Sequence, residues 1–188
     1  MDTDIFDLVR KNKIFEVGNL VNSGINVNLK NSEGVWLLSL SSYLGRTEIV
    51  KLLLEHGADV NVTDKDRLSP LHHAVRKCDT EIVKLLIEHG ADINSKDDLG
   101  WSPLFWASAS GNKEMFEILY TNKNVRNCDL IFASYHGHTD VVSVLLSLKT
   151  LDVNHKNGNN KTALMAAIDN NKPETVKLLI EHGAKFDV

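Results

Sequence analysis

With 188 residues, 43% of them hydrophobic, the chain carries enough apolar material for one core, and a single domain is the expected organisation. Its 21 Lys and Arg against 25 Asp and Glu leave a net charge of -4, which argues against sequence-blind binding to nucleic acid. No apolar run reaches the ~18 residues of a membrane span. The acidic start Met1-Asp2-Thr3-Asp4 is unlike a signal peptide, so the expectation is a cytoplasmic monomer, with a nuclear location also open.

The first strong element signals lie at Trp36-Leu37-Leu38, where a helix opens, and at Gly45, which stops it. A second helix with apolar residues at i, i+3 and i+4 runs to Gly57, followed by the polar turn Thr63-Asp64-Lys65-Asp66. Ser69-Pro70-Leu71 then sets a hydroxyl at a helix N-cap and Pro at the first helical position; Glu81 to Ile87 is the next second helix, ended by Gly90. Ser102-Pro103-Leu104 repeats that start and Gly111 that stop. A helix beginning at Asn127 or Cys128-Asp129 is expected to end at Gly137, and a last pair to end at Gly183. Cys78 and Cys128 are read as packing residues, since no second Cys or His stands at metal-ligand spacing.

These elements recur. Glu55-His56-Gly57-Ala58-Asp59-Val60-Asn61 returns as Glu88-His89-Gly90-Ala91-Asp92-Ile93-Asn94 after 33 residues, and Glu181-His182-Gly183-Ala184 is a third copy. Leu38, Leu71, Leu104, Leu130 and Leu164 open successive units at intervals of 33, 33, 26 and 34. Short helix pairs cannot bury their apolar faces alone, so the units must stack, and an all-α repeat solenoid is expected.

The pattern Asp-x-x-Gly-x-Ser/Thr-Pro-Leu-His followed by Gly-x-x-Glu-Ile-Val-x-Leu-Leu-x-x-Gly-Ala-Asp-Val-Asn resembles the ankyrin repeat. The resemblance implies one ankyrin-repeat domain over 1-188, with projecting β-hairpin fingers between units. Residues 4-30 resemble a degenerate capping repeat, 31-63 and 64-96 are full repeats, 97-125 is truncated at its end, 126-156 lacks its leading finger, and 157-188 is the C-terminal repeat. Trp36-Leu37-Leu38-Ser39 replaces Thr-Pro-Leu-His, which should weaken that helix start by about 1 kcal/mol. Between Tyr120 and Asp129 a finger cannot form, and a short turn from Thr121 to Cys128 is expected instead.

The resemblance further implies a non-enzymatic module that binds a protein or peptide on the concave face formed by finger tips and first helices. Matching positions are Ser32, Glu33, Val35, Leu40, Tyr43 and Leu44; then Lys65, Asp66, Leu68, His73, Arg76 and Lys77; then Asp98, Leu99, Trp101, Trp106, Ala109 and Ser110. Phe132, Tyr135 and His136 follow in the shortened unit, and Lys161, Asp169 and Asn170 in the last. Trp101, Trp106, Tyr135 and Phe132 stand out as the floor of a partner site in a chain only 6% aromatic, with Lys65, Arg76 and Lys77 selecting an acidic flank. The competing reading is that Phe132 and Trp106 fill the space left by the missing finger.

An adaptor or scaffold is the first functional expectation, and an inhibitor occluding an enzyme or transcription factor the second. An enzyme is the remote third, because no acid, base and nucleophile converge in the sequence and no phosphate loop or zinc motif is present, so neither cofactor nor metal is called for. His72 is expected to orient its turn, and His56, His89 and His182 to share one structural slot. Asn61, Asn94 and Asn154 match a pattern hydroxylated by an asparaginyl hydroxylase in ankyrin proteins, although Asn also suits the turn itself.

Overall fold

The structure, a computed structural model, describes residues 4-120, 125-148 and 150-186. The described residues contain twelve α-helices, arranged as six successive pairs, and no strand. They are α1 (Ile5–Arg10), α2 (Ile14–Asn22), α3 (Leu37–Tyr43), α4 (Thr47–Glu55), α5 (Pro70–Arg76), α6 (Thr80–Glu88), α7 (Pro103–Ser110), α8 (Lys113–Leu119), α9 (Asn127–His136), α10 (Thr139–Ser147), α11 (Ala163–Asp169) and α12 (Pro173–Glu181). The chain divides into two compact units, Met1–Pro103 and Leu104–Val188.

In the first unit α3 packs on α1 and α5, and α4 on α2 and α6. In the second, α9 packs on α11, while α10 lies against α8 and α12. The cores come from fixed positions of the repeat. The residues eleven after the first four opening leucines, namely Ile49, Ile82, Met115 and Val141, are fully buried, and so are Leu53, Leu86, Leu119 and Leu145 one helical turn on. Small first-helix residues let neighbours approach; the Ser41, Ser42 and Ser108 hydroxyls donate to the carbonyls of Leu37, Leu38 and Leu104 four residues back, so their burial leaves no unmet donor.

Local chemistry sets the helix ends. Asp4, Ser69, Asp79, Asn112 and Thr162 each accept a backbone N–H of the first turn. At α3 no side chain caps the start, as the loss of Thr-Pro predicts. The chain leaves several first helices in the left-handed region, at Gly45, Gly111 and Gly137, where a side chain would be strained. In the third pair that place is taken by Cys78, with φ of 56°, and its thiol is exposed. Cys78 is therefore not a packing residue; the turn geometry overrides its hydrophobicity.

The fingers are tighter than the β-hairpins expected. Among the described residues the only β-type pairing is one isolated bridge, Lys30 to Trp36. Their tips are built on a side chain instead. Asp64 Oδ1 accepts the N–H groups of Asp66 and Leu68, Asp97 Oδ1 those of Leu99 and Trp101, and Asn31 and Asn157 repeat the arrangement. This explains the Asp or Asn that begins each Asp-x-x-Gly phrase: its side-chain oxygen adds two bonds to the single main-chain bond that closes each tip, as from the Asp64 N–H to the Leu68 carbonyl. In the shortened repeat, α9 starts at Asn127, one of the two expected starts. Part of the predicted turn from Thr121 to Cys128 lies outside the described residues.

Candidate partner-binding surface

In the first unit, the exposed face of the first helices carries an aromatic and cationic patch. Tyr43 on α3 is 41% exposed, with Lys77 Nζ 4.4 Å above its ring and the His73 ring edge-on at 5.8 Å. His73 Nε2 contacts Asp64 Oδ2 at 3.0 Å, so the finger tip and helix α5 are tied through one imidazole. Burial pulls the His73 pKa below its usual value, although Asp64 opposes it. Lys65 and Arg76 are exposed beside this patch, as the sequence implied.

Leu68 is placed differently. It is only 7% exposed, because the Asp64 tip holds its N–H and turns the side chain into the core. Leu68 is thus removed from the predicted surface. Trp101, one repeat later in the same slot, is half-buried for the same reason, whereas Leu99 at the tip stands 67% exposed.

His72 has the orienting role expected of it. Its Nδ1 accepts from the Ser69 N–H at 3.2 Å and lies 2.8 Å from the Ser69 hydroxyl; its Nε2 donates to the Trp101 carbonyl at 3.3 Å. These partners fit the neutral ring, and burial holds its pKa below the ordinary histidine value. His56, His89 and His182 occupy one slot, each placing Nδ1 2.8–2.9 Å from the carbonyl four residues earlier.

The second unit holds the larger aromatic group. Phe132 on α9 packs 4.4 Å from Phe105 on α7 and 6.2 Å from Tyr135, measured between ring centroids. Tyr135 is 48% exposed, and His136, also exposed, lies 5.0 Å from both rings. Trp106 is half-buried on α7. Phe105 was not among the predicted positions. It follows Leu104 just as His72 follows Leu71, so the buried slot of Pro-Leu-His was the available signal for it.

Beside this group is a hollow of about 250 Å³. Its floor is Ile131, Phe132 and Ala166, and its rim bears the amides of Asn157, Asn159 and Asn170 with the Lys161–Asp169 ion pair at 2.6 Å. The site therefore combines an apolar base with amide donors and acceptors, the arrangement that receives a bulky side chain and the backbone around it. The His136 and His138 rings stack at 5.6 Å and 14° rather than converging on a point; His138 Nε2 donates to the Ala109 carbonyl. Among the described residues no three His, Cys, Asp or Glu side chains gather to hold a metal ion.

The hairpin asparagines differ in their bonding. Asn61 Nδ2 donates to the Gly90 carbonyl while its Oδ1 accepts the Asp92 N–H, and Asn154 does the same with Gly183 and Lys185. Asn28 is stapled likewise to Gly57 and Asp59. For the Asn94 amide no such staple exists among the described residues.

Comparison with known proteins places this architecture. The family described as Ankyrin repeats (3 copies) matches residues 8–97, 38–129 and 127–188. A putative ankyrin repeat protein of fowlpox virus, FPV222, is 37% identical over 68 residues, covering 36% of this chain and 9% of that protein. The human transient receptor potential cation channel subfamily A member 1 is 28% identical over 187 residues, covering 99% of this chain and 15% of the channel. The chain thus spans a small part of these relatives. The crystal structure of the human ASB11 ankyrin repeat domain superposes with a TM-score of 0.84 at 27% identity, covering 99% of this chain and 86% of that one. Among the described residues no helix is long and apolar enough to cross a membrane. With helix pairs, finger tips and family match all in the same register, the chain belongs to the ankyrin-repeat family.

Proposed function

We propose that this chain binds a partner protein or peptide through the exposed faces of its first helices and finger tips, without catalysing a reaction. Ankyrin repeats are generally protein–protein interaction modules, and the reading rests on that membership together with one observation. Tyr135, half-exposed on α9, stands over a hollow with an apolar floor and an amide rim. An aromatic side chain held by neighbouring rings, Phe132 and His136, gives up little further freedom when a partner covers it. In the first unit, Lys65, Arg76 and Lys77 offer cationic groups beside Tyr43, which suits an acidic stretch of the partner.

The test compares wild type with Tyr135→Ala and with the Trp101→Ala/Trp106→Ala pair, measuring partner capture and thermal melting for each. Removal of Tyr135 is expected to weaken capture by about tenfold or more with melting nearly unchanged, because half of the ring is already in solvent. Undiminished capture by Tyr135→Ala defeats the reading. Adding the captured partner's own activity as a readout separates an adaptor from an inhibitor.

A further inference from the structure

Asn157 is the only asparagine in the chain that is followed by glycine. That dipeptide has a reaction of its own. The main-chain nitrogen of the glycine attacks the side-chain amide carbon of the asparagine; the new N–C bond closes a cyclic imide, and the amide nitrogen leaves as ammonia. Water then opens the ring at either carbonyl, giving aspartate or its β-linked isomer. No oxidant, reductant or cofactor is consumed. Glycine favours the ring closure because it has no Cβ to crowd the attacking nitrogen.

The tip from Asn157 to Lys161 presents each of the reacting groups. The Asn157 N–H donates to the Lys161 carbonyl and the Asn160 N–H to the Asn157 carbonyl, so the turn is closed around Gly158. Gly158 itself is exposed, and among the described residues its N–H has no hydrogen-bond partner. Asn157 Oδ1 accepts the N–H groups of Asn159 and Lys161, both at 3.0 Å. These donors already face the oxygen on which negative charge gathers as the nitrogen adds, which is how an oxyanion hole lowers a barrier. Among the described residues Asn157 Nδ2 makes no hydrogen bond, so nothing holds the leaving group.

The other tips supply the comparison. Asn31 Oδ1 is held in the same way, by the N–H groups of Glu33 and Val35. There, however, the next residue is Ser32, and Asn31 Nδ2 donates to Glu33 Oε2 at 3.5 Å. At the two intervening tips the residue is already an aspartate, Asp64 and Asp97, with both N–H bonds kept. Aspartate is therefore a product that this turn accepts. At position 157 it places a further negative charge on the rim shared with Asn159, Asn170 and the Lys161–Asp169 pair. The β-linked product differs, since it lengthens the main chain by a carbon and makes the gripped oxygen a main-chain carbonyl, so the tip no longer closes as before.

We propose that Asn157 is a self-modification site, where the native protein slowly exchanges an amide for a carboxylate at the rim of the hollow with water as the only co-reactant. The test incubates the full native chain in mildly alkaline buffer, which promotes loss of the Gly158 amide proton, and follows it by peptide mapping and mass spectrometry with the two acidic products separated chromatographically. Asn157 should convert ahead of Asn31 and of every other asparagine. Gly158→Ala should slow that conversion several-fold without changing the melting point, because an added Cβ meets nothing within 4 Å and the backbone there is not left-handed. Asn157→Asp should melt like wild type and keep the Asn159 and Lys161 amides protected from hydrogen exchange. An Asn157 that stays an amide in the native chain while the urea-unfolded chain loses it would mean that the tip protects it, and overturns the proposal. Earlier conversion at another asparagine, a rate indifferent to Gly158→Ala, or a tip opened by Asn157→Asp does so as well.

Discussion

Cys78 holds a backbone position that glycine occupies in three other pairs and asparagine, at Asn12 and Asn171, in two. A Cβ in the left-handed region costs about 1–2 kcal/mol, and the extra freedom of glycine in the unfolded chain returns roughly 0.4–1 of it. Cys78→Gly should therefore stabilise the protein by about 0.5–1 kcal/mol, seen as a melting point higher by about 1–4 °C. The same geometry exposes the thiol, whereas burial and the neighbouring Asp129 raise the pKa of half-buried Cys128. Cys78 is accordingly expected to be the faster of the two to react with a thiol reagent in the native protein, and equal rates would mean that the turn has been misjudged. At this scale the sequence misleads where a side chain and its backbone disagree. Cys78 reads as a small hydrophobe, and Leu68 as a surface residue by its place in the repeat, but turn geometry exposes the first and the Asp64 tip buries the second.

Helix α3 shows how an element with a poor sequence signal is still held. Trp36 at its N-cap offers no oxygen to the first turn, yet the indole N–H donates to the Thr63 carbonyl at 2.9 Å and Lys30 Nζ sits 4.3 Å over the ring. The expected weakness of about 1 kcal/mol is thus offset by contacts that only the three-dimensional arrangement brings together. Restoring the family's proline would not repair it. At α5 Pro70 sits at the first helical position without loss, but at α3 the Leu37 N–H donates to the Leu29 carbonyl at 3.0 Å. Leu37→Pro removes that bond and a fully buried side chain, and should destabilise by about 2–4 kcal/mol, measured by urea unfolding. A stability equal to or above wild type would show that the Leu29 bond contributes nothing. Helices that carry a cap, a stop and apolar spacing were legible, since these are local signals, whereas α1 and α2 were foreseen only as a degenerate capping repeat. The finger tips were less so, because a single Asp or Asn accepting two N–H groups leaves the same trace as an ordinary polar turn.

For the molecule as a whole, the buried titratable groups give its two compact units different responses to acid. In Met1–Pro103, buried His72 and half-buried His73 have pKa values below 6.5, so the unfolded chain binds protons more readily than the folded one. Their contribution is complete above pH 6.5 and is lost as the pH falls toward the lower folded values. In Leu104–Val188 the fully buried Asp129 runs the other way. Burial raises its carboxyl from 3.8 to about 6, against the opposing hydrogen bond from the Arg126 N–H at 2.7 Å. The folded form now takes the proton first, so this contribution is complete below 3.8 and disappears as the pH rises through about 6. His136 lies in the same unit with a lowered pKa and works against Asp129 on acidification, but its imidazole is exposed and solvent screens it.

Hydrogen exchange followed amide by amide should then show α5 and its neighbours losing protection between pH 7 and pH 5, while α9 loses less or gains. Asp129→Asn isolates the second effect, since the amide oxygen can still accept from Arg126 but cannot titrate. In that variant the response of α9 should follow the histidines alone, and its stability at pH 7 should rise because no charge remains to be buried. An α9 whose pH response is the same with Asp129 or Asn in place would mean that the carboxyl is already neutral across this range or is reached by water. The repeat pattern made both helix pairs predictable, but it treats Asp129 as one more polar residue at a helix start. Only the closure of α9 over that carboxylate turns a capping group into a proton-sensitive one.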